Sequence, residues 1–113
     1  MPSEADRAAL LDIRSNIEFA FQFLEGFDAE RFSRDFRTFY AVVRCLEIVS
    51  EASRRLSPEL KSRHARIPWR QIAGAGNVYR HDYEDVAQRL VWGTVEKFLP
   101  TLRAVVDGEL SRP

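Results

Sequence analysis

Cysteine, glycine and proline are scarce in this chain: one Cys, five Gly and five Pro among 113 residues. A single thiol, Cys45, cannot close an internal disulfide and leaves no Cys-x-x-Cys pair for a metal. It falls at helical spacing between Ala41 and Ile48, which predicts a buried apolar thiol rather than a reactive one. No apolar run approaches the roughly 18 residues that a membrane span needs. The opening residues, Met1 to Arg7, are acidic and contain no apolar stretch, so no signal peptide is expected and the default setting is cytoplasmic. No segment alternates polar and apolar residues at period two, which argues against strands. Repeats, low-complexity stretches and linkers are also missing, and the length suits one domain spanning residues 1–113.

What is present is an ordinary globular balance, 45% apolar and 30% charged, with a generous aromatic supply of eight Phe, three Tyr and two Trp. Trp69 and Trp92 are expected in the core, and the rings of Tyr40 and Tyr79 are expected to pack. The net charge is zero, but the charges are sorted along the chain. Residues 1–52 carry ten acids against six bases, residues 53–80 seven bases against one acid, and residues 81–113 six acids against four bases. A basic middle fits contact with a polyanion or an acidic partner. It fits equally a solvated helix face paired with acids elsewhere in the fold.

Apolar periodicity predicts an all-α fold, an antiparallel up-and-down bundle of four to five helices. Ser3 caps the first, with Asp6 three residues on, and Leu10, Ile13, Ile17, Phe21 and Leu24 form its stripe until Gly26 ends it. Asp28 caps a second, expected to run to about Leu56. Phe32, Phe36, Phe39, Val43, Leu46 and Val49 make one stripe on it, and Ala41, Cys45, Ile48 and Ala52 another. Two stripes mark a helix contacted on two sides. Ser57-Pro58 opens a short basic helix, roughly 58–65, because proline is suited to a first helical position. Ile67-Pro68 then breaks the chain. A helix from 68 to about 80 follows, weakened by Gly74 and Gly76 at about 1 kcal/mol each. The last begins near Glu84, with a kink or break at Pro100.

Of the two histidines, His64 lies in a basic stretch and is expected at the surface. His81 ends the fourth helix in Asn77-Val-Tyr-Arg-His-Asp-Tyr83, among groups that donate, accept or carry charge. An unperturbed imidazole titrates at about 6.5, which suits proton transfer near neutrality. A capping or surface histidine would have the same local sequence.

Several segments, in order and spacing, resemble the HepT-like family of the HEPN superfamily. They are Phe27-Asp28, Arg31-Phe32, Asp35, Ala41 through Ala52, Ile67-Pro-Trp69, Ile72-Ala-Gly74, His81-Asp-Tyr83, Val91-Trp92 and Phe98 through Leu102. The resemblance covers about residues 10–102. It implies a homodimeric, metal-independent ribonuclease that needs no cofactor, the toxin of a toxin–antitoxin pair, with tRNA or mRNA as substrate. By the same resemblance His81 is the acid or base, Asn77 its polar companion, and each site is built from both chains. Tyr83 is the residue that a nucleotidyltransferase antitoxin modifies with AMP. Arg66 and Arg70 are candidate RNA contacts, and the arginines between residues 54 and 66 fit RNA or an acidic antitoxin surface equally.

One position departs from the pattern. The family's arginine should directly precede Asn77, and Gly76 stands there. The nearest cations in sequence are Arg80, beside His81, and Arg70. On a helix, a shift of four residues keeps the face but moves a group by about 6 Å. Three readings follow: an active ribonuclease using Arg80 or Arg70, a degenerate homologue that binds its nucleotidyltransferase partner, or a protein that binds nucleotide or RNA without cutting.

Overall fold

The stripe beginning at Leu10 becomes the buried face of α1 (Glu4–Phe23) in the computed structural model, where Leu10, Ile13 and Ile17 are wholly inaccessible. The structure describes the backbone of residues 2–81 and 85–113 and the side chains of residues 2–75 and 87–113. Ser3 caps α1 as its sequence predicts, its Oγ accepting the Asp6 amide at 3.1 Å. Beyond the helix end Gly26 sits at φ 81°, a left-handed conformation that costs glycine little.

The long second helix expected from Asp28 to Leu56 is two helices, α2 (Ala29–Ser33) and α3 (Phe36–Arg54). Asp28 caps α2 through the Arg31 amide at 2.7 Å. Asp35 then caps α3, its carboxylate accepting the Thr38 amide at 3.0 Å. That backbone bond favours the charged form and holds the Asp35 carboxyl below its ordinary range. The break turns Phe36 outward, 64% exposed, instead of leaving it on the inner stripe.

α3 is the central member of the bundle, packed on one side by α1 and on another by α5 (Trp69–His81). Its buried face combines Phe39, Val43, Leu46 and Val49 with Val42, Cys45 and Ala52, so both expected stripes are used. Cys45 is 4% exposed, and burial pushes its thiol pKa up, as an inert apolar thiol requires. Asp12 on α1 meets Arg55 at the end of α3 at 2.8 Å.

α4 (Pro58–Arg63) begins at Ser57-Pro58 as expected. Buried Asp6 ties its start to α1, accepting the Ser57 amide at 2.8 Å and the Ser57 hydroxyl at 2.6 Å. α6 (Asp85–Lys97) and α7 (Leu99–Leu110) are separated at Phe98, two residues ahead of Pro100, which lies in the first turn of α7. There proline's missing N–H has no helical partner to lose. Phe32 of α2 is fully buried between Phe39 and Trp92, with ring centroids 6.0 and 5.5 Å away, and so joins α2 and α3 to α6. The described residues form seven helices and no strand, the all-α class predicted, with more interruptions.

The end of α7 is fastened to α4 by Glu109. Its carboxylate is 2% exposed and receives Arg63 Nη2 at 2.7 Å and Nε at 3.2 Å, His64 Nε2 at 2.6 Å and Arg112 at 3.5 Å. His64, expected at the surface, is therefore half-buried in an ionic cluster. The Arg63 hydrogen bonds hold the Glu109 carboxyl far below its usual 4.5, at about 2.

Candidate functional site

α5 carries the predicted chemistry, and its first half is firmly positioned. The Trp69 indole donates to the carbonyls of Lys61 and His64 at 3.2 and 3.0 Å, seating the start of α5 on the end of α4. Trp69 is partly buried against the core, consistent with a packing role. One turn on, the Ala73 carbonyl accepts two side-chain donors from α3: the buried Ser50 hydroxyl at 2.9 Å and the exposed Arg54 guanidinium at 2.6 Å. Gly74 and Gly76 do not interrupt the helix, which continues to His81. A Cβ built on Gly74 would meet nothing within 4 Å, so no close packing demands glycine there.

Asn77, Arg80 and His81 thus stand on the C-terminal turns of α5. Asn77 and His81 are four residues apart, on one face and about 6 Å from each other along the axis. The side chains of Asn77, Tyr79, Arg80 and His81, and Tyr83 as a whole, lie outside the described residues. Arg70, in the first turn of α5, and Arg66, just before it, are both exposed.

The basic middle of the chain is only partly paired with acids. Arg55 and Arg63 are taken by Asp12 and Glu109. Among the described residues no carboxylate pairs with Arg54, Arg66 or Arg70, and these leave a positive surface along α5 and the end of α3. Beside α5 lies a cleft of about 200 Å³ lined chiefly by Leu46, Val49, Ile72, Ala75, Phe98 and Leu102. Its wall is mainly apolar, with Gln71 and Thr94 as polar members among the described residues.

At the start of α3, Phe36 and Tyr40 are 64% and 63% exposed. The Tyr40 ring, expected to pack, lies edge-on against Phe39 at a centroid distance of 5.6 Å. Among the described residues no cluster of His, Cys, Asp and Glu has the makings of a metal site, and no helix is long and apolar enough to cross a membrane.

Seven helices and no strand among the described residues make this a small all-α protein. The particular family follows from comparison with known proteins. The pattern of the family described as "Ribonuclease HepT-like" matches residues 13–108, and the chain belongs to that family. The chain is 35% identical over 106 residues to "Putative RNase TTE0752" of Caldanaerobacter subterraneus subsp. tengcongensis, covering 94% of this chain and 95% of the relative. It is 37% identical over 94 residues to "Probable ribonuclease HepT" of Thermococcus cleftensis, covering 83% of this chain and 86% of the relative. No solved structure matches the chain.

Proposed function

We propose that this protein is the toxin of a type II toxin–antitoxin system, a metal-independent endoribonuclease acting in the cytoplasm. The observation that carries this reading is the unbroken course of α5 to His81, which sets Asn77 and His81 one turn apart in a chain of the HepT-like family. In this reading the His81 imidazole takes the proton of a ribose 2′-hydroxyl. The 2′-oxygen attacks the neighbouring phosphorus, and the bond from phosphorus to the 5′-oxygen breaks. An imidazolium from the second copy protonates the leaving oxygen. The products are a 2′,3′-cyclic phosphate and a 5′-hydroxyl, and neither metal nor cofactor enters. Asn77 orients the histidine or the phosphate, Arg80 is an adjacent cation, and Arg66 and Arg70 lead single-stranded RNA to the site between the two copies. The exposed Phe36 and Tyr40 on α3 support a homodimer whose two motifs share one cleft. The purified chain is expected to cut bulk tRNA or mRNA in EDTA. Intact RNA would contradict the proposal.

Gly76 favours a second reading, in which the chain binds its partner or RNA without cutting. The same incubation separates the two.

The proposed antitoxin is a nucleotidyltransferase that uses ATP. The Tyr83 phenol oxygen attacks the α-phosphorus, pyrophosphate leaves, and AMP stays on the toxin beside His81, where its charge repels RNA. Intact-mass analysis after incubation with partner and ATP should show added AMP on the wild type and none on Tyr83→Phe. Equal addition to both would place the modification on another residue.

A further inference from the structure

We propose that Arg54, on α3, supplies the phosphate-binding cation that Gly76 cannot. The assignment rests on the ribonuclease reading above and adds to it a residue from a different helix. Arg54 Nη1 is 2.6 Å from the Ala73 carbonyl. In an α-helix a carbonyl points toward the C-terminus, and the residues that overlie it are those three and four positions on. For Ala73 these are Gly76 and Asn77. The Arg54 guanidinium is therefore held against the turn of α5 that leads to position 76, where the family's arginine would be rooted and this chain has glycine.

Three features suit Arg54 to an anion. The group is exposed, so a phosphate can reach it. It is fixed by a neutral carbonyl rather than by an acid, and among the described residues no carboxylate pairs with it. Arg55, next in sequence, is bound to Asp12 at 2.8 Å and has its charge answered. One donor of a guanidinium's five is engaged at Ala73, and the planar fork left over matches two phosphate oxygens. Arg70 is a poorer substitute, because six residues separate it from Gly76, about 9 Å along the axis.

The test compares wild type, Arg54→Ala and the double variant Arg54→Ala/Gly76→Arg. Two readouts are taken: cleavage of RNA in EDTA, and binding of a 2′-O-methyl RNA of the same sequence across a salt series. Loss of Arg54 is expected to slow cleavage about 100-fold. It is also expected to lower the slope of log affinity against log salt by about 0.7, the value of one single-strand phosphate contact. Arginine at position 76 should restore at least tenfold of the lost rate, which a merely structural role for Arg54 would not allow. Unchanged cleavage and slope in Arg54→Ala would overturn the assignment, as would a loss that Gly76→Arg leaves untouched. If wild type leaves RNA intact, the ribonuclease reading fails, and the binding slopes alone then decide for or against Arg54.

Discussion

RNA cleavage by His81→Ala is expected to fall about a thousandfold, the middle of the range for losing a positioned acid or base. The size of the effect follows from the proposed chemistry. A ribose hydroxyl is a poor nucleophile until its proton is removed, and no metal is invoked to supply hydroxide or neutralise the phosphate. One side chain then carries the proton transfer that a divalent ion would otherwise assist. If both copies place His81 in one cleft, the substitution removes base and acid together. The rates of both proteins in EDTA, over pH 5 to 8, check this. A His81→Ala chain that cuts within threefold of wild type would remove His81 from the chemistry.

Glu109→Gln is expected to destabilise the fold by about 2 kcal/mol at pH 7. A carboxyl lowered from 4.5 to about 2 stabilises the folded state by roughly 3 kcal/mol once ionised, since each pKa unit is about 1.4 kcal/mol. Its cationic partners Arg63 and Arg112 are 36% and 47% exposed, so water screens part of that sum. The direction with pH is fixed by the sign of the shift. A depressed folded pKa adds stability above the unfolded pKa, near 4.5, and loses it as pH falls toward 2. Urea unfolding of wild type and Glu109→Gln should therefore differ most at pH 7 and converge between pH 4.5 and pH 2. Equal stability at pH 7 would mean that the cluster joining α4 to α7 contributes nothing net.

Much of the fold is written in local patterns. Ser3, Asp28 and Ser57 all cap as their positions foretell, because a side-chain oxygen and an amide three residues on are one local unit. The break at Asp35 is hidden because Phe32 and Phe39 both stay inside, so the stripe reads straight across the interruption. The available signal is Asp35 itself, three residues before Thr38. Pro100 marks a break correctly but not its place, since proline is tolerated in the first turn that the new helix provides. The His64–Glu109 pair joins residues 45 apart, beyond any local pattern. Its trace is that Glu109 continues the buried spacing of Leu102 and Val106, an acid on an apolar face that must find a cation.

The site is legible in a different way. The order of segments from Phe27 to Leu102 places the chain in its family, and the helix that ends at His81 is marked by Pro68 at its start. Arg54 has no such trace. It is one of two adjacent arginines at a helix end, and only the packing of α3 on α5 separates the one held at Ala73 from the one held by Asp12. A cation brought from another helix is invisible to any motif read along a single stretch.

The chemistry of the RNA ends after incubation in EDTA tests the central claim most directly. Attack by a 2′-hydroxyl activated by His81 predicts new fragments with 5′-hydroxyl and 2′,3′-cyclic phosphate termini. Intact RNA, or fragments with 5′-phosphate and 3′-hydroxyl termini, would contradict it.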